Sequence, residues 1–293
     1  MPKNYKNILV EKKGAIGYLT LNRPEKLNSL SKALMAEFEE ACYDFRDDPN
    51  LKVFIIKGAG RCFSAGYDMS MEEPYFKSDE AIDMWGDEVQ TDHIWWRSLW
   101  DNPKISIAQV HSFCLAGGGH MLCHADILYC SDDALFGYPP VRYGSLGTHL
   151  LWPTFIGLRK AMEHFVTGNM MTAETALRVG FVNEVFPRDR LEAEVEKLAK
   201  TVAKVPMWSL RLNKRAVHEF FEVMGLRTAL RYSEALTSIS YGSSPKAIPH
   251  GFQDINRVTA EKGMRAGFEY MNEDFIEEDR IASSQMARPD RKP

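Results

Sequence analysis

The sequence predicts an α/β fold, and three observations predict it. Strand-like and helix-like segments alternate through the first half of the chain. Leu51 to Lys57 is a near-continuous apolar run ending at Gly58, the pattern of a strand buried on both faces of a sheet. After Pro187 the alternation gives way to helical patterns.

The elements follow in order. Ala15 to Leu21 reads as a strand, and Asn22-Arg23-Pro24-Glu25-Lys26 as a turn. Ser31 can cap a helix whose apolar face is Leu34, Phe38, Ala41, Cys42 and Phe45, stopped by Asp47-Asp48-Pro49-Asn50. The buried strand Leu51 to Lys57 comes next. Glu72 to Trp100 is a polar and aromatic insert, read as mostly helical. Short strands are expected at Ile105 to Val110, Ile127 to Cys130 and Ala134 to Phe136, with a glycine cluster and a short helix between the first two. Leu191 to Ala203 is amphipathic, Pro206 breaks it, and Leu210 to Phe221 and Leu226 to Ile239 look helical. Gly242 to Pro245 is a loop, and Arg280 to Pro293 is polar and frayed. The expected organisation is a core over residues 1–205 and a helical segment over 206–293.

Composition excludes several classes of function. Lys and Arg total 36 against 40 Asp and Glu, a net charge of −4, which disfavours binding to nucleic acid. At 45% hydrophobic and 26% charged the chain has ample material for a core. The first residues lack the apolar run of a signal peptide, and no stretch is long and apolar enough for a membrane span. Five irregularly spaced cysteines, Cys42, Cys62, Cys114, Cys123 and Cys130, read as reduced thiols in a cytoplasmic protein. Cys123 with His120 and His124 lacks a second pair at zinc-site spacing, so no metal site is expected.

Two glycine motifs carry chemistry. The first is Gly58 to Asp68, directly after the buried strand. Its small residues at 64–66 allow a ligand to approach the backbone closely. The second is Cys114-Leu115-Ala116-Gly117-Gly118-Gly119-His120. Glycines opening a helix present unbonded N–H groups suited to an oxyanion or a phosphate. The spacing does not match a P-loop. Tight strand–helix packing explains the second motif equally well when it is taken by itself.

Together the motifs resemble the crotonase superfamily, the enoyl-CoA hydratase/isomerase family. Leu21 to Asn28 resembles the family's opening turn. Phe63-Ser64-Ala65-Gly66-Tyr67-Asp68 and Leu115 to Gly119 resemble its two oxyanion-hole segments. Asp126-Ile127, Phe136 to Pro139, Leu158 to Ala161, Val166 to Gly168 and Gly180 to Val182 follow in family order. The resemblance implies a spiral of ββα turns with a helical C-terminal trimerisation segment, assembling as a trimer or a dimer of trimers. It implies a coenzyme A thioester as substrate, with no prosthetic group. The enolate oxygen would be held by the N–H groups of Ala65 and Gly117, or of Gly118 if the alignment slips by one. It further implies coenzyme A contacts from Lys26, Leu27, Ser64, Ala65, Gly66, Lys262 and Phe268.

The sequence departs from the family at its acid–base positions. The hydratases use two glutamates, and here those positions hold His120 and Pro140. Proline offers no acid or base. Histidine titrates near neutral pH, so His120 is the leading catalytic candidate; the alternative is a helix histidine pointing elsewhere. Tyr67, Asp68, Tyr138, Arg142, Tyr143 and His149 are further polar candidates. Asp68 is weighed as a turn residue and Arg142 as a surface ion pair, or as a partner for an acidic group. Trp85, His93, Trp95, Trp96 and Trp100 fall where the family encloses the acyl chain, and one or two are expected to face it. The expected reaction is hydration of a 2-enoyl-CoA. The alternatives are double-bond isomerisation, retro-Claisen C–C hydrolysis, thioester hydrolysis, or acyl-CoA binding without catalysis.

Overall fold

The computed structural model describes residues 4–68, 96–143, 146 and 151–242, together with 257–258, 261–263, 266–267, 269–270 and 273–275. In chain order its elements are β1 (Ile8–Lys13), β2 (Ile16–Leu21), α1 (Lys32–Asp47), β3 (Val53–Gly58), β4 (Ile105–Val110), β5 (Phe113–Leu115) and α2 (Gly117–Leu122). They continue with β6 (Ile127–Ser131), β7 (Leu135–Gly137), α3 (Trp152–Thr167), β8 (Met171–Thr172), α4 (Ala173–Arg178), β9 (Glu184–Phe186), α5 (Arg188–Lys204), α6 (Met207–Val223) and α7 (Leu226–Gly242).

Six strands form one sheet in the order β1-β2-β3-β4-β6-β9. β1 and β2 are an antiparallel hairpin turned at Gly14, which takes φ +59°. Every other neighbour in that sheet is parallel. Successive side chains of a strand point to opposite faces, and β3 shows the consequence. Phe54 and Ile56 face α1, where Leu34, Phe38, Ala41 and Phe45 complete the main core. Val53 and Ile55 face a second core with Leu191, Val195 and Ala199 of α5. Both faces are covered, which is why this strand reads as an unbroken apolar run.

A small second sheet, β5-β7-β8, turns the chain into a spiral. β4 bends at Ser112 (φ +54°) into β5, and β6 passes into β7. The pairs β4–β5 and β6–β7 thus each give one strand to the large sheet and one to the small. Ser64 adds a bridge to Cys114 of β5, so the loop after β3 joins the same edge. The α/β class and the ββα spiral are as the sequence predicts.

The details differ where elements are short. The third expected short strand falls at Leu135–Gly137 and lies in the second sheet. Ser31 does cap α1, accepting the Leu34 N–H at 3.2 Å. α5 starts at Arg188 rather than Leu191, and α6 at Met207, because Pro187 and Pro206 each immediately precede a first turn. β1, β5, α3, β8, α4 and β9 have no counterpart in the sequence reading. Of the expected insert, residues 96–100 are described and helical. Trp96 is buried edge-on against Phe38 in the main core, and Trp100 stacks on His218 at 3.8 Å. Both serve packing. Trp85, His93 and Trp95 lie outside the described residues, as do the expected loop at 243–245 and the tail at 280–293. Among the described residues no helix is long and apolar enough to cross a membrane.

Candidate active site

The site is built where β5 passes into α2. The N–H of Ala116 is donated to the Gly137 carbonyl of β7, and Ala116 is forced to φ +46°. That sharp corner starts α2 at Gly117. Residues at the first turn of a helix have no intrahelical partner for their N–H groups. Among the described residues no hydrogen-bond acceptor meets the N–H of Gly117 or Gly118. Each glycine is also closely packed, Gly117 too closely for a side chain unless something shifts. A Cβ on Gly117 would lie 2.7 Å from Cζ of Tyr67. On Gly118 it would lie 3.1 Å from Cys114 Sγ, and on Gly119 3.2 Å from Cζ2 of Trp152. Close packing and available N–H groups are therefore two consequences of one backbone, not competing explanations.

The loop after β3 lies alongside this corner. Gly66 takes φ +101°, and a Cβ there would sit 2.9 Å from Cβ of Ala116. The turn Asn22–Leu30 holds the loop in place. Asn28 is fully buried and gives its side-chain NH₂ to the carbonyls of Ala59 (2.8 Å) and Cys62 (2.9 Å). Its own carbonyl accepts the Ser64 hydroxyl at 2.9 Å. Arg23 Nη1 pairs with Asp68 at 2.7 Å. Asn28 stood in the quoted motif without a role assigned to it. Its type was the available signal, since asparagine tolerates the left-handed conformation (φ +51°) and carries both donor and acceptor.

This bracing corrects several expectations. The N–H of Ala65 is donated to the Leu27 carbonyl at 3.0 Å, so the first oxyanion donor does not come from Ala65. Ser64 is fully buried, its backbone paired with Phe113 and Leu115 and its hydroxyl with Asn28, which removes it from contact with a ligand. Gly66 is likewise committed, through its N–H to Ser64 Oγ and its carbonyl to Leu30. Leu27 acts through its carbonyl, and Lys26 is exposed on the same turn. Asp68 is a structural partner of Arg23.

The structure does bring His120, Tyr67 and Tyr138 together. His120 is one helical turn past Gly117 and only 2% exposed. The Tyr67 hydroxyl lies 3.1 Å from its Nδ1. Tyr138, which follows β7, stacks on the imidazole with centroids 5.5 Å apart and planes 16° apart. Arg142 is held at the far end of α3 instead. It donates to the Thr167 carbonyl and to Asn169 Oδ1, both at 3.1 Å, and its guanidinium covers the Phe275 ring. Those contacts give it a structural role in place of ligand binding. Pro140 sits in the short helical turn Pro139–Tyr143 and brings no carboxylate. Lys262 is exposed. His149 and Phe268 lie outside the described residues. Among those described, no group of three His, Cys, Asp or Glu could hold a metal ion. Burial raises the thiol of Cys123, beside His124, well above its ordinary range.

A spiral of ββα turns with a glycine corner facing a braced loop can hold an oxygen that gains negative charge, and this defines the class of site. The enoyl-CoA hydratase/isomerase family matches residues 11–246, and the chain belongs to that family. It is an acyl-CoA-processing enzyme of the crotonase type. A Dictyostelium discoideum protein named "Probable enoyl-CoA hydratase, mitochondrial" is 31% identical over 245 residues, covering 82% of this chain and 85% of its own. The crotonyl-CoA hydratase of Syntrophomonas wolfei is 29% identical over 244 residues, covering 81% and 89%. Among solved structures, an enoyl-CoA hydratase/isomerase from Xanthobacter autotrophicus Py2 superposes with a TM-score of 0.86 at 27% identity, covering 93% of this chain and 99% of that one.

Proposed function

We propose that the protein adds water across the double bond of a 2-enoyl-CoA thioester. The observation that carries this reading is the Gly117 corner, with His120 one turn behind it. The thioester oxygen would accept the N–H of Gly117, with Gly118 next in line. For the second donor we favour the Tyr67 N–H. The bridge between Leu30 and Tyr67 uses the Gly66 carbonyl and the Asp68 N–H. In such a parallel bridge the N–H of the central residue points away from its partner strand. Two donors preset for a developing enolate lower the barrier more than they tighten ground-state binding, and each contributes roughly 3 kcal/mol. Proton traffic is routed through His120, since Pro140 has no ionisable group. Coenzyme A enters as part of the substrate, with Lys26 and Lys262 as exposed cations near its phosphates, and no prosthetic group is invoked. Five free, buried cysteines support a reducing, cytoplasmic setting.

We further propose that residues 206–293 form an assembly segment of a homotrimer or a dimer of trimers. Exposed apolar side chains on α6 and α3 support it. The reaction is tested by mass spectrometry of products over a panel of acyl-CoA thioesters. Hydration adds one water to an intact thioester. Release of free coenzyme A or a rearranged double bond would replace this reading with hydrolysis or isomerisation, and binding without turnover with a non-catalytic role. His120→Ala is expected to lower kcat about 100-fold or more.

A further inference from the structure

His120 and Tyr67 are not equally placed to meet a substrate. His120 is 2% exposed, with Tyr138 stacked near-parallel to its ring, centroids 5.5 Å apart, and the Tyr67 hydroxyl at its Nδ1. Its own carbonyl accepts a hydrogen bond from Nδ1 of His124 at 3.0 Å, which ties this turn of α2 down. Tyr67 is only half-buried. Its ring covers the α-carbon of Gly117, with Cζ and both Cε atoms 2.7 and 2.8 Å from where a Cβ would stand. A thioester oxygen received at the Gly117 N–H therefore arrives beside the phenol, while the imidazole stays behind it.

We propose that Tyr67 is the catalytic acid–base residue and His120 the buried positioning residue that exchanges its proton, a relay standing where the family's carboxylates are absent. This rests on the hydratase reading above. In the first step the water oxygen bonds to the β-carbon, and the π electrons move into the thioester as an enolate. One water proton passes to Tyr67 Oη as the Tyr67 proton passes to His120 Nδ1. In the second step the enolate takes a proton at its α-carbon from Tyr67, which recovers one from His120. One water is added, and both side chains return to their starting states. The pairing has a physical purpose. A phenol of ordinary pKa about 10 is a poor base at neutral pH, whereas an imidazole near 6.5 accepts readily. Coupled, they let the phenol gain and lose a proton without being ionised.

The test measures hydration of a short 2-enoyl-CoA by wild type, Tyr67→Phe, His120→Gln and the double variant, with thermal melts of all four. Tyr67→Phe keeps the ring over Gly117 and is the safer variant for folding. The relay predicts a fall in kcat of about 100-fold or more in each single variant, with KM within about twofold. The double variant should be no slower than the slower single, because the two residues act as one unit. Wild-type kcat in Tyr67→Phe overturns the relay, and so does a rise in KM with kcat unchanged. Multiplying losses in the double variant also overturn it. If wild type cleaves or isomerises thioesters instead, the hydratase reading fails, and the same four rates on that reaction judge the relay. A wild type that turns over no thioester overturns both.

Discussion

At the scale of single residues, the site depends on which N–H groups point where. The backbone of residues 64–68 changes direction within a few steps, with Gly66 at φ +101° breaking the simple alternation of a strand. Ser64 pairs toward β5, Ala65 toward Leu27, and Asp68 toward Leu30. Neighbouring residues here send their N–H groups to different partners, so a motif match identifies the segment but not the donor. The sequence therefore pointed to the segment of Ala65 but could not show that its N–H is already given to the Leu27 carbonyl. At Gly117 the packing alone disfavours a side chain, since a Cβ would meet the Tyr67 ring. Gly117→Ala places a Cβ 2.7 Å from the Tyr67 ring, so the ring, the corner or both must shift. The expected outcome is a loss of kcat on the order of 100-fold, from one displaced donor, with KM changed less. Steady-state kinetics check it, and a fall in KM with kcat intact would contradict it. The contact between Tyr67 and His120 joins residues 53 positions apart, which no local pattern can announce.

At the scale of elements, most of the long segments were legible, but α3 was missed although it spans sixteen residues, because Gly157 (φ +75°) breaks its helical run. α1, β2, β3, β4 and β6 span five to sixteen residues and carry a clear apolar pattern, in β3 a continuous run. β5 has three residues and β8 two, too few for a period to show, whereas the three-residue β7 was expected one residue early. α2, at six residues, would be marginal in isolation and exists through its packing. α6 illustrates how a helix is attached to the spiral. Asp126 accepts from Lys214 at 2.8 Å and from His218 at 3.1 Å, and holds Ser106 through its N–H and hydroxyl. Burial pushes the Asp126 carboxyl up, but the Lys214 ammonium and these hydrogen bonds outweigh it and hold it below the usual range. Asp126→Asn removes the charge and leaves the Lys214 ammonium, whose side chain is 6% exposed, without its counter-ion. The expected cost is about 3–5 kcal/mol, read as a lower urea midpoint. An unchanged midpoint would show that α6 is held by other contacts.

At the scale of the whole molecule, a single chain leaves apolar surface uncovered. None of the apolar residues of α6 is fully buried, and Trp208, Leu212, Phe220 and Val223 are exposed, the last by 81%. Leu158, Met162 and Val166 recur every four residues along α3 and are exposed as well. Exposed apolar side chains of this kind can mark an interaction site, which the proposed homo-oligomer would cover. Phe220→Asp places a charge in that interface. It is expected to shift the species seen by analytical ultracentrifugation toward the monomer while far-UV circular dichroism stays unchanged. A protein that is monomeric before substitution would remove the assembly proposal.

By itself the sequence determined the α/β class, most of the core strands, the two glycine segments and the family. These are properties of residue type, order and spacing, and they survive without coordinates. The tertiary structure decided the direction of each N–H, the bracing of the loop by Asn28, and the pairing of Tyr67 with His120 under Tyr138. It also gave Ser64, Asp68 and Arg142 structural duties. The physical reason is the same throughout. Hydrogen bonds act over about 3 Å between groups that the spiral brings together from distant turns, and only folding sets that distance.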